Sequence, residues 1–191
     1  MQNNFEDMKA KIAMLNDPES GYTQEAFNNE FNMGSTDTIE YYKMEVNFVN
    51  KSTNQDPEYA TAGSSGFDLR ANLPSSIIVL EVGKRILVPT GLYFEIPESL
   101  EMQVRSRSGL AYKNGVVVLN GVGTIDADYR GEIGVLLINH GDVPFTINHG
   151  DRIAQGVIAP VVAKNIANLI KKDELSTTDR SSGGFGSTGV K

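Results

Sequence analysis

From about Tyr42 onward the chain is a succession of short, β-prone apolar segments cut by turn signals, and this cadence is what most restricts its fold. Met44–Phe48, Ile77–Glu81, Leu92–Ile96, Met102–Arg105, Val116–Leu119, Glu132–Ile138 and Ile153–Val162 are rich in Val, Ile, Leu, Tyr and Phe. Asn72-Leu-Pro74, Val82-Gly-Lys84, Asn114-Gly115 and Asn120-Gly121 separate them. Strands this short and this frequent predict an all-β domain, a sandwich or a jelly-roll barrel of antiparallel strands. Asn-His-Gly-Asp occurs at 139–142 and again at 148–151, which predicts two matching turns around a short strand at Val143–Ile147. Those turns absorb both histidines, and a two-His metal site would need further ligands that the sequence does not offer nearby. Only Ser108–Lys113 and Lys164–Ile170 read as body helices.

Residues 1–40 follow another pattern. Phe5, Met8, Ile12 and Leu15 recur at helical spacing until Asp17-Pro18, and a second short helix starts at Thr23 with Phe27 and Phe31 one turn apart. So narrow an apolar stripe is usually a packing surface, a reading preferred here to a partner-docking element. Eight acids against two lysines make this extension acidic, while sixteen acids and fifteen bases leave residues 41–191 nearly neutral. That balance gives no electrostatic footprint for nucleic acid or an anionic membrane. The absence of cysteine excludes disulfides, thiolate catalysis and Cys-based zinc sites. With no long apolar run and no basic, apolar leader, the expected location is the cytoplasm, or the host cytoplasm for a viral protein.

Five segments carry chemistry. Asn120-Gly-Val-Gly-Thr-Ile-Asp-Ala-Asp-Tyr-Arg-Gly-Glu132 sets Asp126, Asp128, Tyr129, Arg130 and Glu132 between two strongly apolar strands. Charged residues usually mean a solvated turn. Here the flanks anchor the turn in the core, the glycines allow close backbone approach to a flat ligand, and Asp126 alternates with Ile125, so it points away from that neighbour's core face. Arg105-Ser-Arg-Ser-Gly-Leu-Ala111 combines guanidinium, hydroxyl and helix-start N–H groups, which suit an anion, although a capped helix with an exposed arginine is the plainer alternative. In Gly63-Ser-Ser-Gly-Phe-Asp-Leu-Arg-Ala71, Asp68 lies between Phe67 and Leu69, which suggests an inward carboxylate needing a partner or a metal. Gly150-Asp-Arg-Ile-Ala-Gln155 is a turn entering a strand. The last segment, Arg180-Ser-Ser-Gly-Gly-Phe-Gly-Ser-Thr-Gly189, contains a GxGxxG pattern, but with two residues after it the helix that a dinucleotide site needs is not expected. What remains is either a mobile terminus or a tail that folds over a nucleotide.

Taken in order, these five segments resemble the five motifs of the trimeric dUTPase family, over about Tyr42 to Val190. The resemblance implies a jelly-roll or β-clip barrel that forms a homotrimer, with active sites at subunit contacts closed by a neighbour's C-terminal arm. It divides the chain into an acidic, partly helical extension (1–40), a barrel domain (41–179) and a closing arm (180–191). The implied activity is Mg²⁺-dependent hydrolysis of dUTP to dUMP and pyrophosphate, which limits uracil incorporation into DNA and supplies dUMP for thymidylate synthesis. By motif, Asp126 would activate the attacking water, and Asn120 with the backbone around Thr124 and Ile125 would read uracil. Tyr129 would pack on the deoxyribose and exclude a 2′-hydroxyl. Arg107, Ser108, Gly109 and Gln155 would grip phosphates, and Asp68 would help hold Mg²⁺ through water. Arg180, Phe185, Gly186, Ser187 and Thr188 would form the arm.

Gly156 and Thr124 depart from the family pattern, which has larger apolar or aliphatic residues there; Gly156 is expected to loosen its strand. A dCTP deaminase of the same fold family is the nearest rival, and it would need a glutamate placed to protonate cytosine. A silent nucleotide sensor is a rival from another class.

Overall fold

The computed structural model describes residues 10–11, 14, 17, 19–30, 44–162 and 167–184 of the 191. It divides into two compact units, residues 1–45 and 46–191. In the first, helix α1 (Gln24–Glu30) starts where the sequence suggested. Thr23 caps it, its Oγ1 accepting the Ala26 N–H at 3.1 Å. The Glu30 carboxyl is held below its ordinary value by a hydrogen bond from the Tyr22 hydroxyl and by Lys11, 3.1 Å away. Phe5, Met8, Ile12, Leu15 and Phe31 lie outside the described residues.

The second unit is β throughout, apart from one two-turn helix among its described residues. Its strands are β1 (Asn47–Asn50), β2 (Phe67–Arg70), β3 (Ile78–Leu80), β4 (Arg85–Pro89), β5 (Leu92–Glu95), β6 (Leu100–Arg105), β7 (Val116–Val118), β8 (Gly123–Ile125), β9 (Gly134–Asn139), β10 (Phe145–Ile147) and β11 (Arg152–Pro160), with helix α2 (Ser108–Asn114) between β6 and β7. They form a four-stranded sheet β2-β11-β6-β8, a three-stranded sheet β4-β9-β7, and the pairs β1-β5 and β10-β3, every pairing antiparallel. Period-two burial in β6 and β9 sends Leu100, Met102 and Val104, and Val135 and Leu137, into one core with Leu69, Ile133, Ile147 and Ile153. Each such fully buried aliphatic side chain stabilises the fold by about 1.5–3 kcal/mol relative to exposure. No described helix is long and apolar enough to cross a membrane.

Two turns bring distant segments together. Gly115 ends α2 in the left-handed region at φ 66°, and its N–H reaches the carbonyls of Ala111 and Leu110. A Cβ there would lie 2.4 Å from the Gly141 nitrogen, so two backbones meet where only glycine fits. The second Asn-His-Gly-Asp repeat is a turn, as expected, whereas the first starts as the last residue of β9 and runs on as a bend, and β10 between them is Phe145–Ile147 rather than Val143–Ile147. His149 does more than fill its turn: its Nδ1 accepts the Leu73 N–H and its Nε2 meets the Thr53 hydroxyl, each at 3.0 Å.

Three expectations need correction. Residues 167–170 are not helical, and the rest of the expected 164–170 helix lies outside the described residues. Met44–Val46 precede rather than join β1, because pairing with β5 begins at Asn47↔Glu95. Gly156 does not loosen β11, which pairs with both neighbours through it. The Phe67 ring occupies the space a side chain would take: a Cβ on Gly156 would sit 2.6 Å from its Cε2. That ring also stacks on Phe94, with centroids 5.8 Å apart. Gly156→Val is therefore expected to lower stability by about 1–3 kcal/mol through overpacking, read as an earlier midpoint in urea.

Candidate functional site

The acidic turn is built by strands that leave the core and return to it. β7 pairs with β9 (Val117↔Ile138), and β8 crosses to the other sheet to pair with β6 (Ile125↔Met102). Gly123 is buried, Ile125 packs against the core, and Thr124 and Asp126 are exposed, so Asp126 does point away from the face that Ile125 uses. The Asn120 side chain lies over Gly123, where a Cβ would come within 3.1 Å of its Nδ2. Beyond β8 the chain makes a β-turn in which the Tyr129 N–H donates to the Asp126 carbonyl at 3.1 Å. Arg130 braces it from outside, its Nη1 donating to the carbonyls of Ala127 (2.6 Å) and Tyr129 (3.1 Å). Leu87, Thr124, Ile125, Asp126, Tyr129, Glu132 and Gly134 line a cavity of about 270 Å³. This is near the lower limit for a small-molecule site.

A second group of polar residues gathers at the end of β6. Arg107 precedes α2 in extended conformation (φ −81°, ψ 127°) and no side chain caps that helix start. The first-turn N–H groups beside exposed Ser108 and Gly109 are left to water or an anion. Ser106 ties this turn to β7, the strand that leads into the acidic turn, its Oγ accepting the Val118 N–H at 2.8 Å. The expectation of an inward Asp68 fails. Phe67 and Leu69 take the core face of β2, so the Asp68 side chain lies on the opposite face with 25% exposure. Its partners are two guanidiniums, Arg107 Nε at 3.1 Å and Arg152 Nη1 at 3.4 Å. Arg107 Nη1 also donates to the Arg152 carbonyl at 3.2 Å. One carboxylate thus holds two cations together, and the trio keeps a net positive charge. Gln155 pairs with Asp68 on one side and Arg105 on the other, so all three share the outer sheet face.

The two groups sit toward opposite ends of β6. Ile125 is level with Met102, so Asp126 leaves near the strand's start, whereas Arg107–Gly109 follow its end. The six residues of β6 span roughly 17 Å. Asn120 and Thr124 lie between, Thr124 opposite Gln103. Among the described residues no three Asp, Glu or His side chains gather as metal ligands. Arg180 lies in an exposed turn, its Nε donating to the Gly183 carbonyl at 3.0 Å, and Phe185, Gly186, Ser187 and Thr188 lie outside the described residues.

Sequence reasoning gave no role to Arg152, Ser106 or Glu132. Arg152 is opposite Arg70, two residues along β2 from Asp68, and shares its face only because the register shifts between Arg152 and Ala154, which no local pattern announces. The other two depend on contacts across the fold, and no local signal marks them.

The comparisons with known proteins agree on one family. The dUTPase family model matches residues 52–189. The deoxyuridine 5′-triphosphate nucleotidohydrolase of Rhizobium rhizogenes is 57% identical over 135 residues, covering 70% of this chain and 85% of the relative. That of Beijerinckia indica is 61% identical over 134 residues, covering 70% and 82%. Among solved structures, the Staphylococcus bacteriophage 80alpha dUTPase with dUPNHPP superposes with a TM-score of 0.68 at 25% identity, over 78% of this chain and 100% of that one. A dUTPase mutant from phage phi11 of S. aureus, described for its coordination of a structural Mg(II) ion, superposes with a TM-score of 0.61 at 24% identity, over 70% and 100%.

Proposed function

This chain belongs to the dUTPase family, and from that premise we propose that it hydrolyses dUTP to dUMP and pyrophosphate, with Asp126 as the base. The observation that carries the assignment is the exposed Asp126 carboxylate, opening on one cavity with Thr124, Ile125 and Tyr129. Asp126 would orient a water in line with the α-phosphorus and take its proton as the oxygen attacks. Asn120 and the backbone of Thr124 and Ile125 would read the uracil edge; cytosine would present a donor where uracil presents an acceptor and leave buried groups unpaired. Tyr129 would wall the deoxyribose. Arg107, Ser108, Gly109 and Gln155 would hold the phosphates, and Arg180 with residues 185–188 would close the site.

The separation of the two groups along β6 supports a site assembled between chains, since a triphosphate is shorter than that strand. An apolar outer face on β4-β9-β7 supports the same reading: Leu87 is 62% exposed and pairs with Leu136. We take the assembly to be the homotrimer that the resemblance implies, located in the cytoplasm, with residues 1–40 an extension outside catalysis, 41–179 the barrel and 180–191 the arm. The donor set suits Mg²⁺ carried mainly by phosphate and water. Each Asp68 oxygen has one guanidinium contact, which leaves lone pairs for an ordered water. Bound there, Mg²⁺ would withdraw charge from the phosphates during attack.

The test is pyrophosphate release from dUTP, UTP, dTTP and dCTP, with and without Mg²⁺. Release from dUTP alone is expected, at least about 10²-fold above the others. Ammonia release from dCTP would favour the deaminase, and tight binding without turnover the silent sensor.

A further inference from the structure

We propose that Gly131 and Glu132 are positioning residues that seat the Tyr129 ring and so set the discrimination between deoxyribose and ribose. The inference rests on the reading that Tyr129 walls the sugar, and it names what holds that wall in place. The Tyr129 hydroxyl donates to the Glu132 carbonyl at 3.0 Å, so the ring reaches across the intervening Gly131. A Cβ on Gly131 would lie 2.3 Å from the hydroxyl oxygen and 2.4 Å from Cζ. No side chain fits beneath the ring in this pose. The constraint falls on the ring and not on the backbone, because Gly131 lies outside the left-handed region.

The seat is fixed from below. The half-buried Glu132 carboxylate accepts the N–H of buried Gly91 at 2.7 Å. Next to it the Ile133 N–H donates to the Leu92 carbonyl at 2.8 Å, and the Thr90 hydroxyl donates to the Ile133 carbonyl at 2.6 Å. Ile133 and Thr90 are essentially inaccessible to solvent. The carbonyl that receives the tyrosine hydroxyl is thus stitched to the corner between β4 and β5, while Tyr129 as a whole remains 44% exposed and lines the cavity. A flat ring held at both ends makes a rigid wall; one displaced by a methyl group beneath it does not.

Gly131→Ala is expected to fold normally and to lower the dUTP/UTP ratio of kcat/KM at least about tenfold, chiefly through a gain on UTP. Tyr129→Phe keeps the ring and loses only its tether, so a smaller fall of the same sign is expected. In a Tyr129→Ala background, adding Gly131→Ala should change the ratio no further, because the two act through one ring. A role in general stability would instead lower activity on both nucleotides and leave the ratio alone. Ratios within about twofold of wild type in both Gly131→Ala and Tyr129→Phe would overturn the inference. So would a further fall of equal size in the Tyr129→Ala background. Competition binding with the non-hydrolysable α,β-imido analogues of dUTP and UTP reads the same ratio without turnover. A wild type that prefers the deoxy analogue but hydrolyses nothing would defeat the enzymatic reading and leave the seat standing.

Discussion

Asp126→Asn is expected to cut kcat on dUTP by about 10³-fold while a non-hydrolysable dUTP analogue binds no more weakly than to wild type. The amide keeps the shape of the carboxylate and one oxygen to point a water, but it cannot take the proton released as that water attacks. Removing a negative charge near a polyanion favours binding slightly. The two effects are therefore separable: turnover by pyrophosphate release, affinity by calorimetry. The Asp126 side chain is exposed and its carbonyl, not its carboxylate, holds the turn, so the substitution leaves the fold alone and an unchanged melting temperature should accompany the loss. Retention of more than about a tenth of wild-type turnover would remove Asp126 as the base.

Truncation before Arg180 is expected to be nearly as damaging, at least about 10²-fold in kcat/KM, with no change in melting temperature or subunit number. The described residues from 167 to 182 are all exposed, including apolar Leu169 (98%) and Leu175 (87%). Arg180 spends its hydrogen bond within its own turn. The described residues of the removed segment, 180–184, are exposed or half-buried, so little stability is expected to go with them and a lost activity would report on closure over substrate. A truncated chain that keeps full turnover would show that the arm is a passive terminus.

Much of the barrel was legible because alternation and turn residues are local. β5, β7 and β9 came within a residue or two of their predicted bounds, since alternating or short continuous apolar runs mark a strand without reference to partners, and α2 did so because the Asn114-Gly115 turn signal marks its end. β4 and β8 were harder. Arg85–Pro89 ends on a proline, and Gly123–Ile125 is three residues inside a glycine-rich turn; each is a strand because of what pairs with it, namely β9 and β6. The candidate site divides in the same way. The exposure of Asp126 followed from its neighbour Ile125. The pairing of Asp68 with Arg107 and Arg152 joins residues up to 84 positions apart, and alternation was misread there: apolar neighbours on both sides push a strand residue outward, not inward. Gly156 shows the limit from the other direction. Alone it looks like a defect in β11, yet it is the partner of a phenylalanine ring nearly ninety residues earlier.

The opposition of the two polar groups along β6 has a consequence for the life of the protein. In the assembly proposed above, a freshly made copy would carry two unfinished halves, one at each end of a strand, and neither could act by itself. Hydrolysis would start only once copies meet, so abundance would act as the throttle on nucleotide clean-up. Drift at either end would be felt by the neighbour first, binding the two halves to a shared evolutionary fate.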